Sequence, residues 1–120
     1  MIIANLYGGP GSAINAQPEA TAAAATSSYL HRRAGYVLQL YAYTANSQPP
    51  FAAGIIGFVK GMVTALGAEA ADLPAYAPYA DTELTGAEAQ TRYWGAAVAR
   101  LKAIKRAVDP RGILYNPQGF

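Results

Sequence analysis

A chain of 120 residues suits one domain, and its 13% of charged side chains is about half the ~25% usual for soluble domains. With 52% hydrophobic residues, some apolar surface is expected to meet a partner or another domain. The net charge of +2 is too mild to imply nucleic acid; the lack of cysteine excludes disulfides, thiolate metal sites and cysteine-linked cofactors, and a single histidine, His31, argues against an imidazole-built metal centre.

Residues 1–5 show neither a basic region nor a long apolar stretch, so no signal peptide is expected, and no compartment follows from the sequence. Residues 2–7 form a short apolar run that ends at Gly8-Gly9-Pro10-Gly11, a strand running into a turn. The glycines do not make a phosphate loop, because the spacing is not G-x-G-x-x-G and no Lys-Ser/Thr follows. Residues 13–28 are small and give no apolar face; they read as a long surface loop, with one helical turn as the alternative.

Residues 29–44 carry the best strand signal. Tyr36, Leu38, Leu40 and Ala42 share one face, and Val37, Gln39, Tyr41 and Tyr43 share the other. A face with two tyrosines and a glutamine suits a binding cleft, which makes Gln39 and Tyr41 candidate substrate contacts. His31-Arg32-Arg33 reads as a solvated lead into this strand.

Ser47-Gln48-Pro49-Pro50 opens a helix in which Phe51, Ile55, Phe58, Val59, Met62, Val63 and Leu66 recur at three-to-four spacing, with Gly67 where a C′ glycine belongs. Lys60 and the glycines make it a packed amphipathic helix, not a membrane span. Gly54, Gly57 and Gly61 weaken it by roughly 1 kcal/mol each relative to alanine, so close packing on another element is expected in compensation.

Residues 73–81 (LPAYAPYAD) place Tyr76, Tyr79 and Asp81 within six residues, in a segment that two prolines keep from being helix. It reads as a short, irregular or edge strand. In a regular strand the two rings would point to opposite faces, whereas a kink at Pro78 would bring both toward one cleft. They are either core tyrosines with hydrogen-bonded hydroxyls, or one phenol is a catalytic acid or base. A free phenol titrates near ~10, so a base needs a cation, a donor to its oxygen or an acceptor behind it. Asp81 is the sequence's candidate for acceptor or orienter.

Thr85-Gly86-Ala87-Glu88 matches a capping box and starts a second helix with the core stripe Trp94, Val98, Leu101, Ile104 and Val108. Arg100, Lys102, Lys105 and Arg106 gather toward its C-terminus, where cations complement the helix dipole; they read as a solvated basic face rather than a nucleic-acid patch. Asp109-Pro110 ends the helix, Gly112 turns the chain, and the apolar tail at residues 113–118 is expected to dock.

Tyr93-Trp94-Gly95, Arg100-Leu101-Lys102-Ala103-Ile104-Lys105, Asp109-Pro110 and Asn116-Pro117-Gln118 together resemble the C-terminal end of berberine bridge enzyme-like oxidases, which are FAD-linked oxidoreductases. Tyr76-Ala77-Pro78-Tyr79-Ala80-Asp81 stands where that family has Tyr-x-Asn-Tyr-x-Asp, and Tyr7-Gly8-Gly9 and His31-Arg32 resemble its upstream motifs. Pro78 departs from the motif's asparagine, Ala97 from an asparagine after Tyr-Trp-Gly, and Leu30 from a proline before His-Arg.

The resemblance implies an α+β chain, antiparallel strands packed against two amphipathic helices. Residues 1–72 would be part of a substrate-binding sheet with its covering helix, and residues 73–120 the C-terminal segment that returns to a flavin domain. It implies FAD as cofactor and a hydroxyl- or amine-bearing small molecule as substrate. Tyr79 would be the base that deprotonates the substrate as hydride passes to flavin, Tyr76 a substrate contact and Asn116 a cofactor contact. The family's flavin attachment points have no counterpart here, and His31 does not lie in that motif, so flavin would be held mainly by a separate or missing domain. The rival reading is a non-catalytic remnant or interaction module whose apolar surface dimerises or docks on a flavin-binding partner.

Overall fold

The structure, a computed structural model, describes residues 1–6, 8–17, 27–67 and 73–120. The chain is α+β and divides into two compact units, one of Met1–Leu6 with Tyr36–Leu73 and one of Tyr7–Gly35 with Pro74–Phe120.

In the first unit, β1 (Ile2–Leu6) pairs antiparallel with β2 (Tyr36–Leu40), in a register that sets Ile2 against Leu40 and Leu6 against Tyr36. One more pair extends the ladder, as the Tyr41 amide donates to the Met1 carbonyl and the terminal ammonium donates back to the Tyr41 carbonyl, both at 2.9 Å. β2 is shorter than the alternation at residues 29–44 suggests, because a strand needs a partner and β1 offers five residues. On the near side, the Ala34 amide closes a turn on the His31 carbonyl at 3.1 Å; beyond Tyr41, the Ser47 amide closes another on Thr44 at 2.9 Å.

Helix α2 (Gly54–Ala65) starts later than the apolar spacing predicts, and Gly67 occupies the C′ position with φ +75°. Among the described residues the expected close packing is not found. α2 contains no buried residue, Phe58 is 61% exposed, and a Cβ at Gly54, Gly57 or Gly61 would meet no atom of the described residues within 4 Å.

In the second unit, the Gly8 amide donates to Gly35 at 2.9 Å, and Gly9 and Gly11 take positive φ to turn the chain. A side chain is excluded at Gly8, where a Cβ would lie 1.7 Å from the Ala34 carbonyl oxygen. The loop expected from residue 13 begins instead as the one-turn helix α1 (Ala13–Ala16), capped by the Ser12 hydroxyl; residues 18–26 of that loop lie outside the described residues. Asn15 fixes this turn in place, accepting the Gly9 amide at 2.7 Å and donating to the Arg32 carbonyl.

The predicted second helix is broken in two. α3 (Gly86–Trp94) carries the full Thr85/Glu88 capping box, a 3₁₀ turn covers Gly95–Ala97, and α4 (Val98–Val108) follows. Gly95 makes the break, with φ +39° and a Cβ position 2.7 Å from a Leu30 methyl. Among the described residues the buried ones are Ala89, Tyr93 and Ala97, a stripe one residue away from the expected Trp94 and Val98. Small alanines four residues before and after Tyr93 let the neighbouring segments close on it. Leu101 continues the packed face half-buried, while Ile104 and Val108 are exposed.

The tail divides. Ile113, Leu114 and Tyr115 project, Leu114 being 76% exposed, whereas the end of the chain lies along α3. There Pro117 approaches Gly86, where a Cβ would sit 2.9 Å from its carbonyl oxygen; Gln90 donates to the Gly119 carbonyl, and Phe120 meets Trp94 with ring centroids 4.9 Å apart.

Candidate functional site

The tyrosine segment is a turn rather than an edge strand. The Tyr79 amide donates to the Tyr76 carbonyl at 2.8 Å, which places Ala77 and Pro78 at the bend. The bend brings the two rings together edge to face, with centroids 5.2 Å apart and planes at 90°.

Residues from the other segment of this unit complete an aromatic cluster. Tyr29 stands edge-on to Tyr76 at 6.3 Å and to His31 at 5.5 Å, and the Arg32 guanidinium lies 5.0 Å from the Tyr29 ring centre. His31 Nε2 donates to the Ala75 carbonyl at 2.7 Å, and the Ala75 amide donates to the Arg92 carbonyl at 3.3 Å. His31 and Arg32 are therefore half-buried parts of the cluster, and of the expected solvated run only Arg33 is exposed. Tyr29, His31, Tyr76, Pro78, Tyr93 and Trp94 line an open cavity of about 140 Å³. Tyr76 faces this cavity; Tyr79 is not among its lining residues and packs against Tyr76.

Asp81 is held through both its side chain and its backbone. Its carboxylate accepts its own loop's Glu83 amide at 3.0 Å, and its backbone is gripped from two sides. The Asp81 amide donates to the buried Tyr93 hydroxyl at 2.9 Å, and the Asp81 carbonyl accepts from Gln118 Nε2 at 2.6 Å. Tyr93 and Gln118 were visible in the sequence as motif residues, but their partners are set by tertiary folding.

The remaining predicted residues lie as follows. Gln39 and Tyr41 belong to the first unit: Gln39 opposes Ile3 in the ladder, and the Tyr41 ring tilts against Tyr43 with centroids 5.9 Å apart. Asn116 is exposed in the second unit, where its Oδ1 accepts the Gln118 amide at 2.8 Å.

Two carboxylates are held as anions. The Thr85 hydroxyl, then the Thr85 amide, pulls Glu88 below the usual carboxylate range. Lys105, followed by the amides of Leu114 and Ile113, holds Asp109 down at about 2. Neither lies in the aromatic cluster. Among the described residues no group of three or more His, Asp or Glu is arranged to hold a metal, and no helix is long and apolar enough to cross a membrane.

A family model described as berberine and berberine like matches residues 75–120, so the tyrosine turn, both C-terminal helices and the tail form a berberine-like segment of the kind found in FAD-linked oxidoreductases. Across 98% of its length the chain is 35% identical to a xylooligosaccharide oxidase of Thermothelomyces thermophilus, of which it covers 23%. It is 30% identical over 78% of its length to a chitooligosaccharide oxidase of Gibberella zeae, covering 19% of that protein. A FAD-linked oxidoreductase of Metarhizium anisopliae, dpmaF, is 44% identical over 36% of this chain and 8% of its own length. The chain thus spans less than a quarter of the length of the curated relatives it matches. No solved structure matches it significantly.

These relatives imply FAD as the cofactor. The aromatic cavity, at about 140 Å³, is well below the ~300–1,000 Å³ of pockets that enclose a drug-sized ligand, so it does not by itself enclose a flavin. What the cluster offers is one wall of phenol and imidazole groups.

Proposed function

We propose that this chain supplies the proton-handling wall of a FAD-dependent oxidoreductase that oxidises a hydroxyl-bearing small molecule, with sugar hydroxyls the favoured class because two relatives are oligosaccharide oxidases. Residues 73–120 form the berberine-like segment in this reading, and residues 1–72 the sheet-bearing substrate part. Tyr79 is the base that takes the substrate hydroxyl proton at its phenol oxygen, and Tyr76, facing the open cavity, orients the substrate. When bound, FAD would supply the two-electron acceptor for the hydride lost from the hydroxyl-bearing carbon, which becomes a carbonyl. Gln39 and Tyr41, within the first unit, are separate candidates for substrate contact. Asn116, with its amide oxygen engaged by Gln118, offers its amide nitrogen toward the cofactor.

The observation that supports this reading most is the turn at Pro78, which sets the two tyrosine rings edge to face on one open cluster rather than on opposite faces of a strand. In the FAD-loaded protein carrying this segment, Tyr79→Phe is expected to lower oligosaccharide turnover by roughly a hundredfold or more, with thermal stability and flavin potential unchanged. Unchanged turnover would remove Tyr79 from the mechanism.

A second reading, a module that docks on a flavin-binding partner or on its own copy, is favoured by the exposed apolar groups of α2 and of Ile113, Leu114 and Tyr115. Sedimentation and a visible spectrum of the chain mixed with FAD separate the two. A yellow monomer supports flavin capture by the chain, and a colourless oligomer supports the module.

A further inference from the structure

The two tyrosines sit on a short span tethered at both ends. At the near end, Ala75 is held by the Arg92 carbonyl and by His31. At the far end, Gln118 of the tail holds the span together with Tyr93 of α3. Gln118 Nε2 donates to the Asp81 carbonyl at 2.6 Å and to the Leu84 carbonyl at 3.1 Å, while its Oε1 accepts from the Tyr93 hydroxyl at 3.3 Å. Tyr93 in turn accepts the Asp81 amide at 2.9 Å. Both polar ends of the amide are thereby used. Turning the amide over would set its oxygen against two carbonyl oxygens, so the network fixes its orientation.

Gln118 is itself well anchored. Its amide donates to Asn116 Oδ1, Gln90 holds the Gly119 carbonyl, and Phe120 packs on Trp94.

We propose that Gln118, acting through Asp81 and Tyr93, is the positioning residue for Tyr79; this rests on the reading of Tyr79 as the base. Tyr76 adjoins the Ala75 tether, whereas Tyr79 stands two residues from Asp81. Loss of the Gln118 amide therefore shifts the Asp81 end of the span, nearer Tyr79 than Tyr76, and a small displacement of a reacting group is costly in rate.

The first test needs no substrate. In the flavin-free protein carrying this segment, Gln118→Ala is expected to speed hydrogen–deuterium exchange in the peptide at residues 79–84 by about tenfold, the worth of one net hydrogen bond. Unchanged exchange overturns the proposal.

The second test measures flavin reduction in the FAD-loaded protein by stopped flow for Gln118→Ala, Tyr79→Phe and the double variant. Gln118→Ala is expected to lower kcat by roughly tenfold to a hundredfold with KM nearly unchanged, and to have no further effect once Tyr79 is phenylalanine. If Tyr79→Phe is slow and the two losses multiply, Gln118 does not work through Tyr79. If Tyr79→Phe reduces flavin at the full rate, the base assignment fails, and the exchange measurement still decides what Gln118 holds. Gln118→Glu keeps an acceptor for Tyr93 but lacks the Nε2 donors, so it serves where the alanine variant does not fold; a wild-type rate with Gln118→Glu also overturns the proposal.

Discussion

Asp109 accepts the Lys105 ammonium and the amides of Ile113 and Leu114, and so ties the end of α4 to the start of the tail. These donors favour the ionised form, which is why the carboxyl is held at about 2 when folded, below the ~3.9 of an unfolded aspartate. A depressed carboxyl stabilises the fold above about pH 4, and that contribution is lost as the pH falls through about 2. Asp109→Asn should therefore melt below the wild type at pH 7, with the gap closing toward pH 2 in thermal scans. From sequence, Asp109-Pro110 reads only as a helix stop, because its partners arrive when the tail folds back. Gly95 is similar. Its positive φ and its contact with Leu30 leave no room for an alanine, and Gly95→Ala is expected to cost roughly 1–3 kcal/mol in denaturant unfolding. A glycine inside an apolar stripe was the available signal, but periodicity alone runs straight through it.

At the level of elements, local chemistry was legible and long-range chemistry was not. The Thr85/Glu88 capping box and the Gly67 cap appear where the sequence places them, because every partner lies within four residues. Thr85→Ala should lower stability by about 1 kcal/mol and return Glu88 toward its ordinary pKa, measured by denaturation and by titration of the Glu88 carboxyl. The length of β2 and the phase of the buried stripe were misread, since one depends on the reach of β1 and the other on the 3₁₀ turn at Gly95–Ala97. The tyrosine turn was half legible. Pro78 signalled a kink, but nothing local placed Tyr29 and His31 beside it. In α2, Gly57 and Gly61 meet nothing among the described residues, so alanine at both should raise the melting temperature, each adding about 1 kcal/mol of helix propensity. A fall would mean that a partner covers this face.

For the molecule as a whole, burial is concentrated in the second unit, around Ala89, Tyr93 and Ala97. Among the described residues of the first unit none is buried. Protection from hydrogen exchange should follow this division, with the amides of α3 exchanging slowest and those of α2 and the β1–β2 ladder exchanging orders of magnitude faster. The low charged fraction anticipated this exposure.

Trp94 is the single indole of the chain, and it rests between Tyr93 and Phe120. Its emission is thus a built-in optical gauge of whether the last residues are seated on α3. Peeling them away would wet the indole and shift its fluorescence to the red, so the clasp over the tyrosine turn can be followed in real time without any added label.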